Sequence, residues 1–399
     1  MDPDIAFLNH GSFGACPRHV LAIQNEWRAR LERQPVQFLV RDLEPHLDAA
    51  RAALAGFVGA EADDLVFVPN ATHGVNTVLR SLSFQPGEEW IVTNHAYNAC
   101  RNALDFAATR AGARVVLVEV PFPVRSAEQI IAPVLAAVTA RTRLALLDHV
   151  TSPTGIILPI KRLVEELAGR GVDTLVDGAH APGMIPVNLS QLGAAYYTGN
   201  CHKWLCAPKG AAFLHVRRDK QETVRPLVIS HGATTRRTDR SRFQVEFGWP
   251  GTFDPSAYLS VPAAIQHVGS LLPGGWPAVM AANRGLALAA RKVLCERLRI
   301  PEPCPEEFIG ALAAIPISDA PPDALPRLPA NEYPLQDLLR EKHGMEVPVI
   351  PWPAPPKRLL RISAQLYNSL PQYEALADAL AEFPWAKGPY HTSMGHRPM

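Results

Sequence analysis

No two of the six cysteines, Cys16, Cys100, Cys201, Cys206, Cys295 and Cys304, form a CxxC pair. In a chain of 399 residues such scatter argues against a disulfide framework and for free thiols in a reducing compartment. HExxH and paired Cys/His spacings are also missing, so no metal site is expected. Excess basic charge is absent: 39 Lys and Arg face 38 Asp and Glu, for a formal charge of +1. That balance lacks the footprint of a nucleic-acid binder. No apolar run approaches the length of a membrane span. The opening "MDPDIAFLNH" has neither the basic nor the apolar region of a secretory signal. No GxGxxG follows the first strand-like run, which removes the usual mark of a nicotinamide-binding α/β protein. A soluble, cytoplasmic protein that handles a small molecule is the expectation, with neither a nucleic-acid nor a membrane partner.

Apolar residues are plentiful, at 47% against 19% charged, enough for two domains or one large α/β domain with an appendage. Seven short apolar runs stand at Leu65–Val68, Trp90–Val92, Arg114–Val118, Leu144–Leu147, Thr174–Val176, Ala194–Tyr197 and Ala211–Val216. They are continuous, as strands covered on both faces should be. Helical patterns such as "YNACRNALDFAATRAG" and "PIKRLVEELAGRG" fall between them. Strand–helix alternation predicts a mostly parallel sheet with helices on both faces. In such sheets ligands gather at the carboxyl ends of the strands.

After about Ser260 the texture changes to long Ala/Leu-rich helical stretches, followed by fourteen prolines in residues 301–356. That proline density predicts irregular loops, because regular elements exclude proline from their interiors. The strand-like runs "MEVPVI" and "RLLRIS" and a closing helix in "LPQYEALADALAEF" complete a smaller α+β domain. The expected division is an N-terminal arm at 1–20, a large domain at 21–260 and a small one at 261–399. The tail "KGPYHTSMGHRPM" is expected to fray.

Polar residues at strand ends carry the candidate chemistry. Asp177 closes the run in "TLVDGAHAPG", and Lys203 follows 26 residues later in "YYTGNCHKWLCAPKG". Alone, Asp177 could be a turn residue, and Lys203 could lay its stem on Trp204 with its amine in water. Together on neighbouring strand ends, they suit a pyridoxal phosphate site: a lysine for the aldehyde and an Asp for the pyridinium nitrogen. "LVFVPNATHGVNTVL" offers a strand, a turn and a helix start, where Thr72 and its neighbours either cradle a phosphate or cap the helix. "WIVTNHAYNAC" brings His95 and Tyr97 to another strand end, two flat rings either of which could stack on a cofactor. Trp204 reads as packing that holds the lysine's backbone.

Eight segments carry a resemblance: "FLNHGSFGACP", "PVQFLVRDL", "PNATHGVN", "TSPTGIILPI", "VDGAHAPG", "TGNCHKWLCAPKG", "PGTFDPSAYLSVPAAI" and "RISAQLYN". In this order the chain resembles the class V aminotransferase family of pyridoxal-phosphate enzymes, of fold type I, in the branch of isopenicillin N epimerases and C–S lyases. The resemblance implies an α/β fold: a mostly parallel seven-stranded sheet with a smaller α+β C-terminal domain. It implies that Lys203 carries the cofactor, Asp177 pairs with the ring nitrogen, His180 reaches the ring hydroxyl and His95 stacks on the ring, with Tyr97 as the alternative. Thr72 and His73 would bind the phosphate, assisted by Asn200 or His202. Thr252 would reach it from a second subunit, which implies a homodimer. Arg361 would clamp the substrate α-carboxylate, and Asn9, His10 and Tyr97 would contact the substrate, while Ser12 forms only a turn.

The reaction expected from the resemblance is β-elimination across the C–S bond of a cysteine conjugate, in secondary metabolism such as antibiotic biosynthesis. Alternatives are epimerisation of an amino-acid side arm, transamination and decarboxylative oxidative deamination. Cysteine desulfuration needs a mobile-loop thiol shortly before the carboxylate-binding arginine, and residues 305–360 contain no cysteine.

Overall fold

The computed structural model describes residues 1–322 and 333–382. The frayed-tail expectation, and parts of the C-terminal domain, lie outside the described residues. β1 (Ala6–Phe7) lies near the start of the chain. All seven apolar runs form strands: β2 (Leu65–Val68), β3 (Glu89–Thr93), β4 (Arg114–Val118), β5 (Thr142–Asp148), β6 (Asp173–Asp177), β7 (Tyr196–Asn200) and β8 (Ala212–Val216). They make one sheet of order β2-β8-β7-β6-β5-β3-β4. Within it only β8 opposes its neighbours, pairing antiparallel with both β2 and β7. Successive residues face opposite sides, and both sides are buried. Ile91, Ala145 and Leu147 enter one apolar cluster, while Trp90, Val92, Leu144 and Leu146 enter another. That is why these strands read as unbroken apolar runs.

Beyond the sheet, the helix Gly275–Leu298 leads to β9 (Leu312–Ile317), β10 (Met345–Glu346), β11 (Val349–Pro351) and β12 (Arg358–Ser363), and the chain continues into the helix Leu370–Glu382. β9, β11 and β12 form an antiparallel sheet of order β11-β12-β9. The proline-rich stretch is more regular than its composition predicts. β9 contains Pro316, and a helix spans Pro334–His343. Pro316 is tolerated because β9 lies on the sheet edge, where a missing N–H costs no ladder bond on the free side. Pro334 opens its helix, where its N–H would be unpaired in any case.

The first residues are tied to the rest. β1 pairs parallel with β10, and Gly14, at φ +72°, presses on the loop after β7. A Cβ at that position would stand 2.0 Å from the His202 carbonyl oxygen. No helix among the described residues is long and apolar enough to cross a membrane.

Candidate active site

The site assembles at the carboxyl edge of the sheet. Asp148 on β5 and Asp177 on β6 are register partners, and Asp177 pairs in turn with Thr198 on β7. Both carboxyls are buried, with 3% exposure each. Asp177 accepts from the Ala179 N–H at 3.0 Å and from the Cys100 thiol at 3.1 Å. No ion pair to it occurs among the described residues. Burial and the adjacent Asp177 charge push the Asp148 carboxyl well above its usual range.

Lys203 follows β7 by three residues, with its Nζ 3.0 Å from Nε2 of His180. Burial, and next the Arg361 charge, lower its amine to about 7, against the opposing pull of Asp177. A neutral amine near neutral pH is what a nucleophilic lysine needs. The side chain does not snorkel. Trp204 does more than pack: its indole Nε1 lies 3.4 Å from Nδ1 of His180.

The helix Ala71–Ser81 begins beside this group. Asn70 caps it, accepting the His73 N–H at 2.8 Å, so Thr72 is not the cap. Asn200 accepts the Ala71 N–H at 2.8 Å. Close seating requires Gly74, where a Cβ would stand 2.2 Å from the Thr198 hydroxyl. The helix N-terminus, with Thr72 and the backbone of His73 in its first turn, is therefore fixed against the strand that leads to Lys203. His202 commits its Nδ1 to the Ala211 carbonyl at 3.1 Å.

Arg361, on β12, is 3% exposed. Its Nη1 donates to the Ser152 carbonyl at 2.7 Å, and its Nη2 to the Ser12 hydroxyl at 2.9 Å. Its Nε is buried without a partner. Burial lowers the guanidinium to about 10. Ser12, read as a turn residue, thus touches the arginine and donates to Asn9 Oδ1 at 2.5 Å. Next to it, His10 places Nδ1 2.8 Å from the Tyr367 hydroxyl and Nε2 3.1 Å from the Lys203 carbonyl. Its ring holds the lysine's backbone.

The two aromatic candidates separate. His95 has both ring nitrogens engaged, with Thr154 Oγ1 at 2.7 Å and the Val120 carbonyl at 3.0 Å, and it packs against Trp352. Tyr97 is half-exposed and feels the charges of Asp177 and Arg361. Thr252 is exposed. It has no hydrogen bond to this group among the described residues. Cys100, Asp148, Ser152 and the indole of Trp204 were not singled out from the sequence, although Cys100 stands three residues after Tyr97, Trp204 adjoins Lys203, Asp148 follows the run Leu144–Leu147 and Ser152 lies within "TSPTGIILPI".

The pattern of the family described as "Aminotransferase class-V" matches residues 16–270, and the chain belongs to that family. It is 35% identical over 394 residues to the isopenicillin N epimerase of Amycolatopsis lactamdurans, covering 96% of each chain. It is 33% identical over 400 residues to the probable chloroplastic L-cysteine desulfhydrase of Arabidopsis thaliana, covering 95% of this chain and 83% of the relative. Among solved structures, the cystine C–S lyase C-DES bound to its product cysteine persulfide superposes with a TM-score of 0.78 at 20% identity. That match covers 97% of this chain and 99% of the lyase. A C-DES variant with glycine covalently linked to the PLP cofactor gives 0.79 at 20% identity, over 96% and 97%. These likenesses establish the α/β fold.

The residues present fit pyridoxal phosphate. A buried Asp177 with no ion pair among the described residues suits a protonated ring nitrogen. A half-buried lysine whose amine is lowered to about 7 suits an aldehyde, and a helix N-terminus suits a phosphate. The orphaned Nε of Arg361 suits the carboxylate of an amino acid.

Proposed function

We propose that this chain is a pyridoxal-phosphate-dependent lyase that breaks the C–S bond of cysteine or a cysteine S-conjugate. The observation that carries it is the gathering of Lys203 and Asp177, from the ends of β7 and β6, with Arg361 from β12 of the other sheet, close enough that both charges bear on the Lys203 amine. Lys203 would hold the cofactor, Asp177 its ring nitrogen and His180 its ring hydroxyl. Thr72 and the His73 backbone would hold the phosphate, with Asn200 ordering the turn behind them. Tyr97 would be the ring that lies over the cofactor, supported by its half-exposed ring near Asp177 and Arg361, with the fully buried His95 as the alternative. When bound, the cofactor serves as an electron sink for charge at the substrate Cα.

The chain's own residues then do the following. Arg361 receives the α-carboxylate, and Ser12 and Ser152 fix its fork. Lys203 Nζ takes the Cα proton, and the C–S bond breaks with the electron pair leaving on sulfur. The departing sulfur gains a proton, and water converts the remaining fragment to pyruvate and ammonia. One base suffices for this, whereas epimerisation needs a second acid on the face opposite Lys203. The epimerase reading is the alternative, supported by the 35% identical relative.

Desulfuration is disfavoured by the thiols as well as the sequence. Five of the six cysteines are buried. Burial pushes Cys16 and Cys304 up to about 11 and Cys206 and Cys295 up to about 12. Cys100 is occupied with Asp177. A homodimer in which Thr252 of a second copy completes the phosphate site is part of this proposal, supported by the exposure of Thr252 and of Val40, Val228 and Ile229. So are the division at residues 20 and 260, a cytoplasmic setting supported by six free cysteines, and a role in antibiotic biosynthesis supported by the epimerase relatives.

The test is incubation with an S-substituted cysteine in deuterated water. Released thiol with pyruvate and ammonia supports the lyase. Intact, stereochemically scrambled substrate carrying deuterium at Cα would establish the epimerase instead. The visible band of added pyridoxal phosphate should vanish in Lys203→Ala, and a wild-type protein that never develops it overturns the cofactor assignment.

A further inference from the structure

Three groups stand in a row beside the lysine: Lys203 Nζ, the His180 imidazole and the Trp204 indole. An indole nitrogen only donates. At 3.4 Å from Nδ1 of His180, it requires that nitrogen to be an acceptor. A neutral imidazole accepting at Nδ1 carries its proton on Nε2. We propose that Trp204 is a positioning residue that sets the tautomer of His180, so that Nε2–H is always presented as a donor toward Lys203 and, once the cofactor is held there, toward its ring oxygen. The inference deepens the cofactor reading above and rests on it for the second half of that statement.

Several observations support a directional role over simple filling. The indole is 1% exposed and packed among Val150, Ala181, Met184 and Leu312. Its backbone is approached closely by Gly183, where a Cβ would stand 2.5 Å from the Trp204 carbonyl carbon. The ring therefore has little freedom to point elsewhere. Two other tryptophans, Trp90 and Trp352, leave their buried Nε1 unpartnered, whereas Trp204 does not. The groups that bear on His180 are Lys203, Arg361, His202 and His10, and all of them disfavour its charged form, as burial does more strongly. None is a carboxylate that could accept from Nδ1–H. Without the indole N–H nothing among them selects the tautomer, and an imidazole with its lone pair at Nε2 would accept from the Lys203 ammonium instead of donating to the amine.

A donor aimed at the ring oxygen favours the oxygen's ionised form, so its loss raises the pH midpoint of the cofactor's visible band. Histidine-¹⁵N NMR of the wild-type holoenzyme should show His180 as the Nε2–H tautomer; the Nδ1–H form overturns the inference. In Trp204→Phe holoenzyme the band's midpoint should rise by about one pKa unit, the size of one ordinary hydrogen bond. In a His180→Gln background, whose side chain has no tautomers, the same substitution should add no shift. An equal shift in both backgrounds means that Trp204 acts through packing, which overturns the inference. If the tryptophan variant does not fold, the wild-type NMR spectrum decides. A wild type that binds no cofactor defeats the functional reading instead, and the tautomer is then read on the cofactor-free chain.

Discussion

Replacing Arg361 by lysine should separate recognition of the substrate carboxylate from the chemistry that follows. The guanidinium is buried, its Nη1 and Nη2 rest on the neutral oxygens of Ser152 and Ser12, and Nε is unpartnered. It is thus a charge waiting for an anion. A carboxylate would meet a planar fork of donors that lysine, a point charge on a flexible stem, cannot reproduce. Hydrogen bonds to charged groups are worth about 1.5–3 kcal/mol. Loss of one such bond corresponds to roughly a ten- to hundredfold fall in affinity. Because the carboxylate is gripped in the ground state and transition state alike, the loss should appear mainly in KM, with kcat reduced much less. Thiol release would be followed for an S-substituted cysteine and for its methyl ester, which lacks the anionic carboxylate. R361K should penalise the acid by that factor and leave the ester nearly unchanged. Equal losses on both substrates would refute the assignment, since they would mean that Arg361 serves the site in some way other than binding the carboxylate.

Two further expectations concern pH. Capture of pyridoxal phosphate by the cofactor-free protein requires the neutral Lys203 amine, so its rate should rise with pH with a midpoint near 7, far below the 10.5 of an ordinary lysine; a midpoint near 10 would contradict the burial argument. Glu89 lies at the opposite end of β3 from the site, fully buried, accepting from Thr139 at 2.6 Å and from Arg141 and Arg114 at 2.6 and 2.8 Å. Those bonds, that of Thr139 first, lower its carboxyl from 4.5 to about 2. A folded-state value below the unfolded one means a stabilisation complete above about 4.5 and lost as pH falls through about 2. Glu89→Gln should therefore cost about 2–3 kcal/mol at neutral pH, discounted because both arginines are largely exposed, and flatten the stability curve across that acid window. Urea unfolding from pH 7 to pH 2 measures it, and parallel curves for the two proteins would exclude Glu89 as the source of the slope.

The sheet was legible because its inner strands are covered on both faces, and so wrote themselves as apolar runs bounded by turn residues, and the half-exposed edge strand β4 kept the same apolar character. The clearest failure, the proline-rich stretch, has an equally local cause: composition reports proline's exclusion from interiors and says nothing of edges. β9 accommodates Pro316 because β12 pairs with one side of it and, among the described residues, no strand pairs with the other. His95 and Tyr97 posed a different difficulty. Two residues apart after one strand, they offer the same chemistry, and only the three-dimensional course of the chain turns one toward Thr154 and Trp352 and leaves the other near Arg361.

By itself the sequence determined the class of fold, the family and the positions of Asp177 and Lys203 at or just past the ends of neighbouring strands, because these depend on strand ends and on spacing along one stretch of chain. Tertiary structure alone decided what each group touches. Ser12 meets Arg361 across 349 residues, and Ser152 meets it across 209, distances over which no periodicity or local propensity carries information. The lowered amine of Lys203 and the raised carboxyl of Asp148 come from removal of water by the packed surroundings, a property of the assembled interior that no residue holds alone.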